Sequence, residues 1–435
     1  MDRILELIKL EEKRQRETLM MIPSENYTYP EVRAAVGSVL MHKYAEGQPF
    51  KRYYQGNVNM DQVESLCETR ALQAFNLDPK KWAVNVQPYS GTPANLAVYV
   101  TLLTPGDKIM AMYLPDGGHL SHGWEYKGKK ITFTSKIFNI DFYHVDAKTR
   151  VFDYEKIAFQ AKKFRPKLLI SGGTAYPREI DHKEMDKIAK SVGAYYLADI
   201  AHEAGLVAAG VNKSPFPYAD VVTMTTHKTL RGPRGAIVFI RKEFESDLDS
   251  AIFPGLQGGP HLHTISGIAI ALEKTKHTEF KKYAIQVIKN AQLLAKILSE
   301  NKFDVVSGGT DKHLVLVDLR SKKINGWFAA WALERAGIVA NRNTVPYDTA
   351  SPYYPSGLRL GTPAITARGM KEKEVGLITD WIVKVINYLG EREIPEDKDK
   401  RNGILKEFKD KISTDKFLLN IASEVKKLCL KFPIK

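Results

Sequence analysis

The sequence predicts an α/β fold, a mainly parallel sheet flanked by helices with a smaller α+β domain after it, and three observations carry the prediction. From Ala83 onward short apolar runs alternate with helix-length stretches, the order a parallel sheet requires because each strand must return over a crossover. Two successive runs, 194 to 199 and 219 to 224, lead to polar residues at one carboxyl edge, where open α/β sheets bind ligands. The chain is also long: 435 residues, 44% of them hydrophobic, suffice for a large core and more than one domain.

Lys and Arg number 64 against 50 Asp and Glu, a net charge of +14. A nucleic-acid reader gathers such a surplus on one face with stacking aromatics. Here the two signs interleave, so no nucleic-acid partner is expected and anionic ligands benefit from the surplus. Cys67 and Cys429 stand far apart and outside any CxxC or Cys/His grouping, so neither a disulfide framework nor a metal site is expected. The opening Met1-Asp-Arg-Ile-Leu-Glu-Leu-Ile lacks the apolar core of a signal peptide, and no run reaches the length of a membrane span. The expectation is a cytoplasmic protein with no membrane partner.

In chain order, residues 2 to about 20 predict a helix with Ile4, Leu5, Ile8 and Leu19 on one face, an arm suited to clasping a second subunit. A non-helical Met21-Ile-Pro-Ser-Glu-Asn-Tyr precedes a helix opening near Pro30. The loop from His42 to Gly56, rich in Tyr44, Glu46, Tyr53 and Tyr54, has the composition of a binding surface; any one of its tyrosines alone is better explained by packing. A helix from Met60 to Phe75 is expected to bury Val63, Leu66, Cys67 and Leu72. After a short strand from Ala83, Ser90, Gly91 and Thr92 fall at the N-terminus of a helix running to Leu102. Free N–H groups and the dipole suit an anion there, with an ordinary Ser/Thr cap an even alternative.

A strand from Lys108 runs into Pro115-Asp-Gly-Gly-His-Leu-Ser-His122, where a glycine turn exposes His119. Thr174 lies in the loop after a strand near 168, Asp199 closes the next strand, and His202 follows three residues later. The strand from 219 then delivers Lys228 into Thr225-Thr-His-Lys-Thr-Leu-Arg-Gly-Pro-Arg-Gly235. Desolvation and the cations Arg231 and Arg234 both disfavour its ammonium form, and a neutral amine is the form that attacks an aldehyde. The loop Phe253 to His261, with Gly258 and Gly259, offers further backbone N–H groups to an anion. Helical patterns fill about 264 to 300, and a strand at 314 to 319 and a helix at 326 to 336 open the smaller domain. The expected division is an arm over 1–28, a large domain over 29–280 and a small domain over 281–435.

Pyridoxal phosphate needs a lysine for its aldehyde, a carboxylate for its ring nitrogen, an anion site and a stacking group. Lys228, Asp199, Ser90 to Thr92 and His119 supply the four. With Ser24-Glu-Asn, Lys-Tyr-Ala-Glu-Gly, Lys-Arg-Tyr-Tyr, Ala-Asp-Ile-Ala-His and Gly357-Leu-Arg-Leu-Gly-Thr-Pro363 also in order along the chain, the sequence resembles the serine hydroxymethyltransferase family. These are fold-type-I pyridoxal-phosphate enzymes with a mainly parallel seven-stranded sheet.

The resemblance implies that Lys228 bonds the cofactor's aldehyde, Asp199 meets its ring nitrogen, His202 its phenolic oxygen and His119 its ring face. Thr174, Thr225 and His227 would lie beside it. Ser90, Gly91 and Thr92 would hold the phosphate, joined by Tyr54, Gly258 and Gly259 of a second subunit. Arg359 would grip the substrate carboxylate with help from Ser24. Glu46, with Tyr44, would handle protons from the partner chain, which implies a homodimer with shared sites. Serine and glycine would be the amino-acid substrates, and a reduced pterin would receive the carbon at Glu46, Tyr53, Leu114, Gly118, Leu120 and Tyr347.

Two positions depart from the family pattern: Asp116 replaces a histidine, and Tyr347 replaces the asparagine of Val-Pro-Asn-Asp. They raise the expectation of a modified pterin, of an archaeal type, in place of ordinary tetrahydrofolate. A threonine-type aldolase or an aminotransferase on the same fold is the alternative enzyme. An RNA-binding protein is the remote non-enzymatic one.

Overall fold

The computed structural model describes residues 2–434, which divide into two compact units, one of residues 28–285 and one of residues 2–27 with 286–434.

The larger unit is built on seven strands: β1 (Trp82–Asn85), β2 (Lys108–Met112), β3 (Asn139–Tyr143), β4 (Leu168–Ser171), β5 (Tyr195–Asp199), β6 (Val221–Thr225) and β7 (Ala236–Arg241). Their order across the sheet is β1-β7-β6-β5-β4-β2-β3, and β7 alone runs antiparallel to its neighbours. β4 and β6 are buried at every residue, as strands covered on both faces must be. One layer of the core packs Ala94, Ala97 and Val98 of a sheet-covering helix on Ile109, Ile170, Leu197, Val221 and Val238. The parallel register sets Asp199 beside Thr223, so the ends of β5 and β6 share one edge.

The first helices in chain order are α1 (Arg3–Glu17), which belongs to the smaller unit, and α2 (Pro30–Val36), α3 (Val58–Ala74) and α4 (Gly91–Leu102), which belong to the larger. Two of them correct the sequence reading. The first helix stops at Glu17: Thr18 is extended and Leu19–Met20 pairs in parallel with Ile338–Val339. Leu19 therefore belongs to the core of the smaller unit and not to a helical face. In α3 the buried residues are Asp61, Glu64, Cys67, Ala71 and Ala74; Cys67 is buried as expected, while Leu66 is 46% exposed and Val63 and Leu72 are only half-buried. Hydrophobicity misidentified the inward face because Glu64 is buried by bonding Arg52 at 2.5 Å and Gln87 at 2.6 Å, and a paired carboxylate can take a core position. The helical stretch near 264 to 300 is also two helices, Leu262–Thr275 and Thr278–Glu300.

The smaller unit has a four-stranded antiparallel sheet in the order Asp304–Val305, Leu314–Asp318, Gly357–Gly361, Asn341–Asn343. Helices Gly326–Arg335 and Glu372–Leu389 are covered by Lys398–Ser413 and Lys416–Lys431, sharing one core through Phe328, Trp381, Phe408 and Leu418.

Candidate active site

The lysine loop leaves β6 and is closed by one residue. Thr226 accepts the Gly232 N–H at 2.7 Å on its carbonyl, donates its own N–H to Gly235 at 3.1 Å and bonds the Pro233 carbonyl at 2.6 Å through its hydroxyl. Lys228 is 8% exposed on that loop. Thr229 ties the loop to the segment after β5: its hydroxyl donates to the His202 carbonyl at 2.8 Å and accepts the Gly205 N–H at 3.0 Å. His202 is buried. The loop lysine and the β5 acid thus come from neighbouring strands with their trailing segments bonded together.

Asp199 is buried, yet its carboxyl is held below the usual carboxylate range. Burial is the largest single influence and opposes its charge, but the hydrogen bond and electrostatic influence of His122, with His119 and the hydrogen bond of Asn95, together outweigh it. Oδ2 accepts from His122 Nε2 at 3.0 Å and from Asn95 Nδ2 at 2.9 Å, and Oδ1 accepts the Ala201 N–H at 3.0 Å. Asn95 is itself oriented, accepting from the Thr223 hydroxyl at 2.7 Å and donating to the Ser121 hydroxyl at 2.8 Å. Ser121 in turn meets His119 Nδ1 at 2.7 Å. Burial, then the electrostatic influence of the neighbouring His122, lowers His119 to about 4, so its ring is neutral at working pH. The ligating atoms of His119, His122 and Asp199 lie within 4.8 Å of one another, a grouping these hydrogen bonds explain.

Glycine is required at two places beside the ends of β5 and β6. Gly172 follows β4 with φ +113°, and a Cβ there would lie 2.0 Å from the Asp199 carbonyl oxygen. Gly91 opens α4 against β6, where a Cβ would lie 2.7 Å from the methyl of Thr225. Ser90 is the N-cap of α4, but its side chain makes no capping bond. The ordinary cap is therefore excluded, and the hydroxyl stays available beside a helix N-terminus. Thr174 is set by its N–H bond to the Gly117 carbonyl at 2.7 Å. His227 is lowered to about 3 by burial and then by Lys228 and Arg234, and its buried Nδ1 has no partner.

A second grouping forms in the same unit. Glu46 approaches Gly258, its carboxylate oxygen 3.2 Å from the position of a Cβ there, and the Tyr44 ring lies against Gly259 at 3.4 Å on the same measure. Tyr44, Tyr53 and Tyr54 pack edge to face at 5.3 and 5.4 Å and remain exposed. Arg52 holds their loop from inside, donating to the carbonyls of Ala45 at 2.9 Å and Gly47 at 2.5 Å on either side of Glu46. It also bonds Asp61 and Glu64 at 2.8 and 2.5 Å. Leu114 and Gly118 lie in the turn after β2, and Leu120 is exposed there. Asp116 instead faces inward: its carboxylate is buried and accepts from His144 at 2.9 Å and from the Val145 N–H at 3.3 Å.

In the smaller unit Arg359 is buried on Gly357–Gly361, its Nε bonding Asn341 at 3.2 Å, and desolvation pushes it down to about 10, still charged at neutral pH. The Ser24 segment runs beside this strand: Gly361 donates its N–H to the Met21 carbonyl at 2.7 Å, and a Cβ on Gly361 would lie 2.4 Å from Pro23. Tyr347 is 47% exposed with φ +57°.

Asn95 and His122 were missed by the sequence reading. The only local cue was their place in Ser-Gly-Thr-Pro-Ala-Asn and His-Leu-Ser-His, beside residues already singled out.

The donor set fits pyridoxal phosphate. A buried anionic carboxylate retains acceptor capacity beyond three protein donors, a buried lysine stands on the adjacent strand's loop, a serine without a capping bond opens the helix that packs on Thr225, and the buried Nδ1 of His227, next to that lysine in the chain, has no partner. The sheet order and this constellation define a pyridoxal-phosphate enzyme of fold type I. The serine hydroxymethyltransferase family model matches residues 1–382. The serine hydroxymethyltransferase of Acidothermus cellulolyticus is 50% identical over 382 residues, covering 88% of this chain and 87% of its own. That of Methanosarcina barkeri is 48% identical over 432 residues, covering 99% and 97%. The probable cytosolic serine hydroxymethyltransferase of Schizosaccharomyces pombe is 44% identical over 450 residues, covering 99% and 95%. The chain belongs to the serine hydroxymethyltransferase family. The family's reaction moves the hydroxymethyl carbon of serine reversibly to a reduced, tetrahydrofolate-type pterin and leaves glycine, with pyridoxal phosphate as cofactor, and this chain is an enzyme of that kind. Among the described residues no helix is long and apolar enough to cross a membrane.

Proposed function

We propose that the residues brought together at the β5 and β6 ends run this reaction in a homodimer whose two sites each draw on both chains. The observation that carries the reading is Asp199, kept anionic while buried and set one strand from the Lys228 loop. Bound there, pyridoxal phosphate supplies the electron sink that lets the Cα–Cβ bond of serine break. Lys228 would hold the cofactor's aldehyde carbon through Nζ, and Asp199 would keep the proton on its ring nitrogen. His119, neutral, would cover the ring face without adding charge. His202 would serve the phenolic oxygen, Thr174, Thr225 and His227 would wall the ring, and Ser90, Gly91 and Thr92 would hold the phosphate.

Arg359 binds the substrate carboxylate with a planar fork, steadied by Ser24. Glu46 takes the proton of the serine hydroxyl, with Tyr44 beside it. Tyr53, Leu114, Gly118 and Leu120 receive the pterin. Glu46, Tyr44, Tyr54, Gly258 and Gly259 serve the site of the other chain, in keeping with the exposure of the tyrosines. We infer that carrier choice is set at Tyr347, since Asp116 spends its carboxylate on His144 and Val145. Two buried free thiols, Cys67 and Cys429, fit the cytoplasm.

Mixing two inactive variants tests the shared site. Lys228→Ala and Glu46→Ala each remove one half of it. After unfolding and refolding together, mixed dimers carry one intact site, and random pairing restores about a quarter of wild-type activity. No recovery, with mixed dimers verified by mass, refutes the sharing.

A further inference from the structure

Arg231 has φ +63°, a left-handed conformation that a Cβ disfavours. It closes the turn that starts at Lys228, its N–H donating to the Lys228 carbonyl at 3.2 Å, and Gly232 then returns its N–H to Thr226. Such a conformation persists only where surrounding contacts hold it. Two of the contacts here are aromatic: the Arg231 guanidinium carbon lies 4.2 Å from the ring centre of Tyr29 and 5.2 Å from that of Tyr283. Tyr29 is braced in turn by Lys274, 5.5 Å from the same ring and paired with Glu31 at 2.9 Å. Both tyrosines lie near the ends of the unit that spans Thr28–Ile285, far in sequence from the loop they hold.

We propose that Arg231 is a positioning residue for Lys228. The tyrosines grip its guanidinium, the grip keeps the left-handed residue in place, and that residue fixes the turn from which the lysine amine is presented. A turn released from this grip samples other conformations, and the amine meets the cofactor's aldehyde carbon less often in bonding geometry. The proposal rests on Lys228 being the lysine that bonds the cofactor.

Arg231→Gly accepts the positive φ without strain and removes the grip. Arg231→Lys keeps the charge and lacks the planar face that stacks on tyrosine. The glycine variant is expected to release pyridoxal phosphate from the holoenzyme about tenfold faster and to lose kcat while KM for serine holds. Arg231→Lys recovers part of both. The double variant Tyr29→Leu with Tyr283→Leu reproduces the faster release with Arg231 intact, and decides the matter if the glycine variant does not fold. Release at the wild-type rate with unchanged kcat in a folded variant overturns the proposal. Borohydride reduction and peptide mapping of the unaltered holoenzyme separate the two readings: an adduct on another lysine defeats the assignment of Lys228, whereas an adduct on Lys228 with unchanged release defeats the clamp alone.

Discussion

Replacing Asp199 by Asn keeps the shape of the side chain and removes its charge, and the hydrogen bonds around it fix the consequences. The carboxylate serves three donors, Asn95 and His122 on Oδ2 and Ala201 on Oδ1. An amide has one oxygen and one NH₂ group. With its oxygen turned to Asn95 and His122, its NH₂ opposes the Ala201 N–H and strands that donor, at a cost of about 1–3 kcal/mol. Turned the other way it opposes two donors, so the first orientation wins and the protein loses a few degrees of melting temperature while staying folded. Catalysis suffers more. The charge-assisted bond to the ring nitrogen, worth about 1.5–3 kcal/mol, is lost, and kcat should fall about 10- to 150-fold at full cofactor occupancy. The assay is serine-to-glycine turnover with a tetrahydrofolate-type carrier, beside a measured cofactor content. A fully loaded Asn variant within twofold of the wild-type kcat would refute the placement of Asp199 at the ring nitrogen.

Two further predictions concern titration and the carrier. His119 and His227 fall from the ordinary 6.5 to about 4 and about 3 when folded. Between those values and 6.5 the unfolded chain binds more protons than the native one, so the apoenzyme gains stability as pH rises through that window and loses it as pH falls. Thermal melts across the window should show this slope, and His119→Asn with His227→Asn should flatten it; an unchanged slope contradicts the burial of the two rings. Tyr347→Asn should change the ratio of KM values for tetrahydrofolate and a methanopterin-type carrier about tenfold with serine KM constant, while Asp116→Asn leaves the ratio alone. A ratio that moves with Asp116 and not with Tyr347 reverses the assignment.

Much of the site was legible because its parts are local. Asp199 closes an apolar run and Lys228 follows the next one, and consecutive parallel strands deliver their ends to one edge. The Ser90 turn was ambiguous for a physical reason: a helix N-terminus looks the same in sequence whether its serine caps the helix or leaves its hydroxyl free. The buried face of α3 was misread because hydrophobicity alone cannot show that Arg52 neutralises Glu64. Leu19 was misplaced because its pairing partner, Ile338, lies in a distant strand.

What the sequence by itself determined is the succession of strands and helices along the chain, the family to which it belongs, and which amine, acid and arginine stand as candidates for its chemistry. Only the tertiary structure decided the surroundings of these groups. Asn95 and His122 reach Asp199 from 104 and 77 residues away, Asp116 turns inward, and Tyr29 and Tyr283 close on Arg231 from opposite ends of their unit. Whether a buried charge survives, or a strained turn holds, depends on donors and rings gathered by packing between distant segments, and no local pattern encodes that gathering.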